Sequence, residues 1–546
     1  MPEQINLPDL TPYAGRWVAL ARDQVAGVGH TPEEAERMAR HNRPKERFVL
    51  WFVDPPDAAP LPLPALLARL RPFLAQQPEP VYLVGGAVRD ALLGRPSHDL
   101  DFVVPRRGIA LAFAVADALG VPAFPLDKAR DTGRVMLAET TLDFACFRGP
   151  DLAADLRDRD FTVNAIALPA TAVSRAALID PCGGLADLEA GQLRLTHPGA
   201  LAQDALRALR GVRHVVGLGL TLLPETAQAL RAAAPELRQV SVERVRDELQ
   251  KLLETAAPDT AVALLAELGL LAPVLPEIAA LAPVTQSAPH HEPVLAHTVS
   301  VLRRLAAVER VLLAGEAAAE GYWQPVVREL GPYREPLRAH LGRTVDGLVD
   351  GRVLLRLGAL FHDVGKAQTR EEDENGRVRF FGHAEVGAKL AARALRRLTF
   401  GNRAVAHVAH IVAAHMRPLF LAEAQGGRPT RRAVYRFFRD IQSAGLDVGL
   451  LALADHLATY DGPGDAAAWE QLVRLVGELF RHYFERHDEV VAPTPLLDGH
   501  ALMAALQLAP GREVGRLLRL IEEAQAAGLV TTPEEAVALA RQAQAG

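Results

Sequence analysis

A chain of 546 residues is too long for one hydrophobic core, because domains usually hold about 100–200 residues, so we expect several domains. Its 49% hydrophobic and 23% charged residues exclude a disordered or fibrous protein, and a net charge of −6 excludes a polycation, so any contact with nucleic acid needs a local basic surface. The two cysteines, Cys146 and Cys182, exclude a disulfide framework and a four-thiolate zinc site and suit a reducing cytoplasm.

The first region, residues 1–54, is predicted to be a small α/β domain. GRWVALARDQVAGVG (15–29) alternates like a β-hairpin, TPEEAERMARHN (31–42) begins with a threonine cap before acidic residues, and RFVLWFV (47–53) is typical of a strand. The proline-rich run DPPDAAPLPLP (54–64) predicts a linker. No function can be derived for this region.

An α+β fold is predicted for the rest of the chain, with a mixed head over 65–190 followed by a long all-α body. Apolar alternation in the head predicts strands, and apolar residues at helical spacing dominate after residue 190. Proline and polar residues predict boundaries near 285 and 489, which divide the body into 191–285, 286–488 and 489–546. The predicted strands of the head are 81–84, 100–104, 134–138 and 141–146, and its predicted helices begin at 87 and cover 108–119.

No segment of the sequence favours a membrane location. The start, MPEQINLPDL, lacks the charged and then apolar pattern of a secretion signal. The most apolar stretch, residues 260–284, contains Glu267, Glu277 and prolines, so it is interpreted as packed helices. We expect a soluble, cytoplasmic protein that does not associate with a membrane.

The stretch VGGAVRDALLGRPSHDLDFVV (84–104) joins a glycine pair to two acids. Gly85 and Gly86 lack side chains, so their backbone N–H groups can approach a phosphate, and Arg89 is close enough in sequence to reach the same anion. Alternate residues of a strand face the same side, so Asp99 and Asp101 direct both carboxylates at one point. In isolation, each pattern is more often a plain turn or a solvated strand end.

A third acid, Asp143, lies in the later strand-like run TTLDFACFR and is expected to face the same point from a neighbouring strand. Three carboxylates are hard oxygen ligands of the kind that Mg²⁺ prefers, and two such ions can activate a hydroxyl nucleophile and neutralise a pyrophosphate leaving group. The chemistry that this pattern indicates is nucleotidyl transfer.

Five motifs in order resemble those of class II tRNA nucleotidyltransferases and bacterial poly(A) polymerases. Besides the glycine and aspartate stretch, they are RDRDFTVNAIAL (157–168), DPCGGLADLEAGQLR (180–194), QDALRALRGVR (203–213) and VSVERVRDELQKLL (240–253). The resemblance implies that Asp99 and Asp101 bind Mg²⁺ and that Asp143 completes the cluster and assists deprotonation of the RNA 3′-hydroxyl. It further implies nucleotide-binding residues, namely Gly85, Gly86 and Arg89 for the triphosphate, Arg159, Asp160 and Asn164 for ribose and phosphates, and Asp204, Arg207, Arg210 and Arg213 in the base-selecting motif.

In this family Asp204 and Arg207 correspond to the pair that replaces a nucleic-acid template. Asp can accept from the cytosine amino group and Arg can donate to N3 and O2, so the pair reads a Watson–Crick edge. Their spacing predicts that the two residues lie one turn apart on a single helix face. A surface ion pair is the alternative interpretation.

Three departures from the family pattern bear on specificity. Gln203 stands where the family usually has Glu, and Asp158 replaces an Arg. Only fifteen residues separate Asp143 from Arg159, where CCA-adding relatives insert a flexible loop, and absence of that loop marks relatives that add only two cytidines. The resemblance therefore favours a CC-adding enzyme that uses CTP on the tRNA 3′ end. Full CCA addition with CTP and ATP, and A addition or poly(A) synthesis, remain alternatives, and whether a separate A-adding enzyme acts afterwards stays open.

Histidine and aspartate residues recur on separate helical segments after residue 290. An adjacent His-Asp pair with further His and Asp residues is a ligand set for one or two divalent, including transition, metals. The order resembles the HD domain, a metal-dependent phosphohydrolase fold, and implies a primary site with an extension. The primary ligands are His297, His362, Asp363 and Asp455, and the extension is His383 and His415. Whether this domain hydrolyses a phosphate ester or only supports the RNA stays open, and an HD phosphohydrolase with a degenerate head is the alternative of a different class.

Overall fold

The computed structural model describes residues 8–22, 24–97, 99–138, 140–314 and 321–545. The chain divides into two compact units. The first takes the chain up to Arg207 together with Gly219–Ala233, and the second holds Ala208–Leu218 and the chain from Ala234 onward. The longer strands lie in the first unit and the second is built mainly from helices, which confirms the expected α+β class. The finer five-part division stays a prediction.

Two larger sheets and one short strand pair lie in the first unit, and the other short pairs lie in the second unit. The strands of the two sheets are β1 Trp17–Ala21, β2 Gln24–Gly29, β3 Val49–Phe52, β4 Tyr82–Val84, β5 Asp99–Val104, β6 Ala123–Asp127, β7 Thr132–Met136, β8 Thr141–Cys146 and β9 Ala167–Pro169. The short strands are β10 Gln192–Leu193, β11 Thr221–Leu222, β12 Thr344–Val345, β13 Val349–Asp350, β14 Glu371–Glu372 and β15 Val378–Arg379.

Helices occur in both units. Those up to residue 279 are α1 Pro32–Asn42, α2 Ala65–Ala75, α3 Gly86–Leu92, α4 Gly108–Leu119, α5 Leu152–Arg157, α6 Gly184–Glu189, α7 Ala200–Gln203, α8 Arg207–Leu218, α9 Pro224–Ala233, α10 Val242–Glu254, α11 Pro258–Glu267, α12 Leu271–Val274 and α13 Pro276–Ala279. Those that follow are α14 Val294–Glu309, α15 Gln324–Leu330, α16 Arg334–Gly342, α17 Gly351–Phe361, α18 Lys366–Thr369, α19 His383–Arg397, α20 Asn402–Ala414, α21 Arg417–Gln425, α22 Arg431–Ile441, α23 Ala444–Thr459, α24 Ala466–Glu485, α25 Gly499–Leu506, α26 Arg512–Ala526 and α27 Pro533–Ala545.

The N-terminal region forms the small sheet that the sequence predicts. β1 lies between β2 and β3, and both pairings are antiparallel. Helix α1 begins after Thr31, whose hydroxyl accepts a hydrogen bond from the backbone N–H of Glu34, as expected for a threonine cap. Trp17 and Phe52 belong to the same buried apolar cluster as the core of the head, so the two regions share hydrophobic packing.

The head is built on a six-stranded mixed sheet with the order β6-β7-β8-β5-β4-β9. The central pair, β5 and β8, is parallel, and its register sets Asp101 opposite Asp143. Residues alternate along each strand, so Phe102 and Phe144 point to the other face, where their rings stack with centroids 4.8 Å apart. Burial of these rings fixes the register and leaves the acidic face open for chemistry.

Four of the six head strands follow the sequence prediction closely. β4, β5, β7 and β8 lie within two residues of the predicted ranges, and the two predicted helices are α3 and α4. β6 and β9 were not predicted, because β6 contains Pro125 and β9 has only three residues, so neither gives a clear alternating pattern.

The second unit is a helical assembly with a fully buried central helix. Every residue of α23 is buried, and α14, α17, α20 and α24 pack against it. The apolar stretch after residue 257 forms α11, α12 and α13, as expected for packed helices. One segment, Asn402–Ala424, is long and apolar enough to cross a membrane by length and composition alone. Its helix α20 packs against α17, α19 and α23, so burial in a protein core explains its composition.

Candidate functional site

The glycine turn after β4 faces the acidic strand β5. Gly85 has a φ of 69°, a conformation that favours glycine. A Cβ at this position would lie 3.3 Å from Nη1 of Arg159 and 3.7 Å from Oδ2 of Asp101. The turn, one cationic side chain and one predicted metal ligand therefore meet at a single point, which suits a bound phosphate beside a metal ion.

The three predicted acids come together on one face of the β5/β8 pair. Asp99 and Asp101 are exposed, and Asp143 lies directly opposite Asp101 in the ladder. The Thr141 hydroxyl donates to Oδ1 of Asp99 at 2.6 Å, which orients that carboxylate. The expectation that Asp143 faces the same point is confirmed. The donor set is oxygen only, which fits a hard divalent cation such as Mg²⁺.

Arg134 is part of this cluster, although the sequence analysis did not identify it. Its Nε and Nη2 donate to the two carboxylate oxygens of Asp143 at 2.7 and 2.6 Å. The hydrogen bond with Asp143, together with the charges of Asp99 and Asp101, raises the pKa of Arg134. β7 pairs with β8 so that Arg134 stands opposite Asp143, a register that single-strand patterns do not reveal. Arg134 therefore holds the third carboxylate in one orientation.

Arg89, Asp160 and Asn164 form a buried network behind the glycine turn. Nη1 of Arg89 donates to the Asn164 side-chain oxygen at 2.6 Å, and its Nε and Nη2 donate to Asp90. The Asn164 amide donates to Oδ1 of Asp160 at 3.1 Å. The structure thus brings the three predicted residues together, but the N–H groups of Arg89 donate to Asn164 and Asp90 within the protein. Contact of Arg89 with a triphosphate stays a prediction.

Arg159 stands at the edge of the site. Its Nε and Nη2 donate to Oδ2 of the buried Asp155 at 3.3 and 3.0 Å. Asp155 also accepts from the backbone N–H of Arg148, which fixes the carboxylate. Asp155 is thus a second residue that the sequence analysis missed, and it orients the guanidinium that faces Gly85.

The base-selecting motif does not lie on one continuous helix, which corrects the sequence-based expectation for Asp204 and Arg207. Helix α7 ends at Gln203, Asp204 has extended backbone, and α8 begins at Arg207. The Asp204 carboxylate accepts from the backbone N–H of Leu206, a local bond that competes with helix continuation. Arg210 and Arg213 follow on α8 as expected, and Arg213 donates to Glu248 at 2.5 Å.

Arg207 is buried and held by backbone carbonyl groups. Its Nη1 donates to the carbonyl of Ala200 at 2.9 Å and its Nη2 to that of Asp158 at 3.0 Å. Burial lowers the pKa of Arg207 from its ordinary value. Gln203 also accepts from Nη1 of Arg207 at 3.0 Å, so the guanidinium has a fixed position.

The two departures from the family motif are partners in the fold. The side-chain amide of Gln203 donates to Oδ1 of Asp158 at 2.8 Å. A Glu at 203 and an Arg at 158, as in the family, would make an ion pair at the same place. The chain therefore keeps a polar link between the two positions, but here residue 203 donates and residue 158 accepts. The side chain of Gln203 also accepts from Arg207, so the link extends to that guanidinium.

The six predicted ligands of the helical unit converge. His297, His362 and Asp455 form one group of donor atoms within 4.8 Å of one another, and Asp363, His383 and His415 form a second. Asp363 joins the two groups, because its Oδ2 lies 3.2 Å from Nε2 of His362 and 3.9 Å from Nε2 of His297. Five of the six side chains are buried. Adjacent N/O groups of this kind fit two divalent metals.

Backbone carbonyl groups orient three of these histidines. Nδ1 lies 2.7 Å from the Ala359 carbonyl oxygen in His362, 2.8 Å from that of Phe380 in His383 and 2.7 Å from that of Val412 in His415. With the proton on Nδ1, each ring presents the Nε2 lone pair to the centre. Burial lowers the pKa of His415 to about 4, so this ring stays neutral. Nε2 of the buried His362 makes no hydrogen bond in the described chain, so its lone pair is available to bind a metal ion.

Lys366 is a further member of this centre that the sequence analysis missed. Its Nζ lies 2.7 Å from Oδ2 of Asp363 and donates to the Gln286 side-chain oxygen at 2.8 Å. Lys366 comes three residues after Asp363, a spacing that places it on the next turn. A cleft of about 650 Å³ opens beside it, lined also by Arg377 and Arg379.

Three family models match the chain. The model described as the poly A polymerase head domain covers residues 81–194, the probable RNA and SrmB-binding site of polymerase A covers 219–281, and the HD domain covers 338–460. Matches of this kind imply that the head and the helical unit use divalent metal ions.

Curated relatives match over most of their length. An A-adding tRNA nucleotidyltransferase of Deinococcus radiodurans is 38% identical over 86% of this chain and 96% of its own. A CC-adding tRNA nucleotidyltransferase of Thermus thermophilus is 37% identical over 84% of this chain and 92% of its own. A solved structure of a CCA-adding enzyme in an apo form has a TM-score of 0.56 at 18% identity, covering 88% of this chain and 94% of that one, which shows a shared fold.

The link between Gln203 and Asp158 can be tested by a double-mutant cycle. Gln203→Glu sets a carboxylate against Asp158, so we expect a loss of about 1 kcal/mol in unfolding free energy. Adding Asp158→Arg should bring the unfolding free energy back toward that of the parent protein, because an ion pair then replaces the repulsion. Calorimetric unfolding of the two single variants and the double variant measures the coupling. If the changes in unfolding free energy of the two single variants simply add up to that of the double variant, the link is contradicted.

The candidate metal site of the helical unit predicts a loss of metal affinity when one ligand is removed. His362→Gln takes away a buried nitrogen donor, so we expect Mn²⁺ to bind at least about tenfold more weakly in the helical unit. His410→Gln is the matched control, because His410 lies on α20 outside the cluster. Metal content after equilibrium dialysis, measured by mass spectrometry, reports the difference. Equal metal retention in both variants would contradict the assignment.

Proposed function

The chain belongs to the tRNA nucleotidyltransferase and poly(A) polymerase family, and on that premise we propose that it adds CMP from CTP to the 3′ end of tRNA. Nucleotidyltransferase activity and binding of tRNA and nucleotide follow from family membership. The identity of the added nucleotide does not, because relatives named for A addition and for CC addition are almost equally similar to the chain. A cytoplasmic location remains a prediction.

The short connection between β8 and α5 carries the proposal of CC addition. Only residues 147–151 separate the two elements, and they are tied at both ends. The Phe147 N–H donates to the Val104 carbonyl, and the Asp151 carboxylate caps α5 by accepting from the Ala154 N–H at 2.7 Å. This stretch contains no inserted loop, and in the family that the sequence resembles the absence of a flexible loop at this place marks CC addition.

The head residues support a mechanism of nucleotidyl transfer in which the chain positions both substrates. The Gly85–Gly86 backbone and Arg159 would hold the triphosphate, while Asp99 and Asp101 would hold Mg²⁺. When bound, Mg²⁺ supplies charge neutralisation at the leaving pyrophosphate and activation of the RNA 3′-hydroxyl. Each oxygen of Asp143 keeps one lone pair beyond its bond to Arg134, so this carboxylate can still accept a proton or a metal bond.

Base selection is assigned to Asp204 and Arg207. Two backbone carbonyl groups and Gln203 hold Arg207 in place, so its remaining N–H groups point in a fixed direction. A donor in a fixed place discriminates between base edges, because a mismatched edge leaves a buried polar group without a partner. Asp204 would accept from the cytosine amino group.

The helical unit supports a second candidate function, hydrolysis of a phosphate ester. Six converging ligands and the neighbouring Lys366 are suited to two metal ions and the negative charge of a phosphoryl group. Arg377 and Arg379 line the same cleft and would add to the attraction.

The proposal predicts the products of a nucleotide addition assay. With Mg²⁺, CTP and a tRNA that lacks its terminal CCA, we expect two C additions, and with ATP on a tRNA that ends in CC we expect none. Sequencing gels with labelled nucleotides resolve each product. Addition of A after CC would contradict the CC proposal and support full CCA addition, and long A tails would support a poly(A) polymerase.

Substitutions in the two centres separate the transferase from the phosphohydrolase alternative. Asp101→Asn removes a carboxylate at the reacting atoms, so we expect CMP addition to fall by about 10³-fold or more. Asp363→Asn alters only the helical centre and should leave addition within about twofold. Asp117→Asn, an exposed acid on α4, is the matched control for the head. Full CMP addition by the Asp101 variant would refute the proposed site.

A further inference from the structure

A strongly basic cleft lies in the second unit, and it shares no residue with the metal centre. Its volume is about 570 Å³, and helices α15 and α24 and the connection from α21 to α22 contribute its wall. Five arginines line it, namely Arg428, Arg431, Arg474, Arg481 and Arg486. Arg481 pairs with Glu478 and Arg486 pairs with Glu489, and the positive charge that remains favours a bound anion.

Local packing explains why these arginines meet. Arg474 and Arg481 are seven residues apart on α24, which places them two turns apart on one face of the helix. Gly427 has a φ of 77°, and a Cβ there would lie 2.5 Å from the Gln471 carbonyl oxygen. The glycine lets the connection press against α24, which carries Arg428 to the same face.

The carboxylates in the cleft do not balance its charge. Glu478 and Glu329 are the two acids of the wall. Glu478 pairs with Arg481 at 2.5 Å, and Glu329 pairs with Arg328 at 2.9 Å outside the cleft lining. In the part of the chain that the structure describes, Arg428 and Arg474 make no ion pair within 4 Å. Two guanidinium groups therefore keep their donors available.

A buried histidine lies in the same wall. His482 lines the cleft and is only 3% exposed. Its Nδ1 has no hydrogen-bond partner among the described residues. A buried nitrogen without a partner is unfavourable, so His482 adds a polar group with unused hydrogen-bonding capacity to the wall of the cleft.

We propose that this cleft is a phosphate-binding site, in which Arg428 and Arg474 hold the anion. Guanidinium groups suit phosphate oxygens because two N–H groups can bind one anion side by side. The phosphate comes either from an RNA backbone or from a free phosphate anion. The RNA source rests on the proposed function, since tRNA is then the polyanion that the chain must hold.

The test compares two double variants at equilibrium. Arg428→Gln with Arg474→Gln removes the two available cations of the cleft. Arg393→Gln with Arg396→Gln is the matched control, because it removes two exposed charges from α19 in the same unit. Fluorescence anisotropy with labelled tRNA over a range of KCl concentrations measures RNA binding, and calorimetric titration with inorganic phosphate measures the free anion. Thermal unfolding checks that both variants are folded.

If an RNA phosphate is the ligand, the cleft variant should bind tRNA about tenfold more weakly, and the slope of log Kd against log salt should fall by about 1–2, while the control stays close to the parent protein. If a free phosphate anion is the ligand, only the calorimetric signal should disappear. Equal behaviour of the cleft and control variants in both titrations would overturn the proposal. Binding is measured without nucleoside triphosphate, so a chain that binds tRNA through the cleft but adds no nucleotide would refute the proposed function and leave this site standing.

Discussion

The parallel pairing of β5 with β8 is the constraint on which the catalytic head depends. In this register Asp101 stands opposite Asp143, and the stacked rings of Phe102 and Phe144 lie on the reverse face. A slip of one residue would send the rings to the open face and the acids into the core, which costs both burial and the desolvation of a charge. The packing that stabilises the sheet is therefore also what gathers the carboxylates.

The two candidate metal sites differ in ways that suit different chemistry. The head offers oxygen ligands, two of them exposed, because it must admit an RNA end and a nucleoside triphosphate together. The helical centre offers imidazole and carboxylate ligands that are mostly buried and oriented by backbone carbonyls. Such a site favours a transition metal and a small substrate.

Overall similarity to relatives does not separate CC from A addition, so specificity has to be argued from local features such as the short connection after β8.

Sequence reasoning reached the parts of these sites that depend on spacing along one segment. The alternation around Asp99 and Asp101 and the glycine pair before α3 are local patterns, and the five ordered motifs located most of the remaining residues. Arg134 was missed because its partner depends on the pairing of β7 with β8, which a single strand does not encode. The expected helix through Asp204 and Arg207 was wrong because a side-chain bond to the Leu206 N–H competes with the helix. The link between Gln203 and Asp158 joins segments 45 residues apart, so each residue alone looked like an isolated departure.

The most direct measurement is anomalous diffraction from crystals of the full chain grown with Mn²⁺ and a non-hydrolysable CTP analogue. The account predicts Mn²⁺ bound by Asp99 and Asp101, next to a triphosphate that lies against Gly85 and Gly86 and contacts Arg159. A triphosphate bound elsewhere in the head, or Mn²⁺ in the helical unit with none at Asp99 and Asp101, would contradict it.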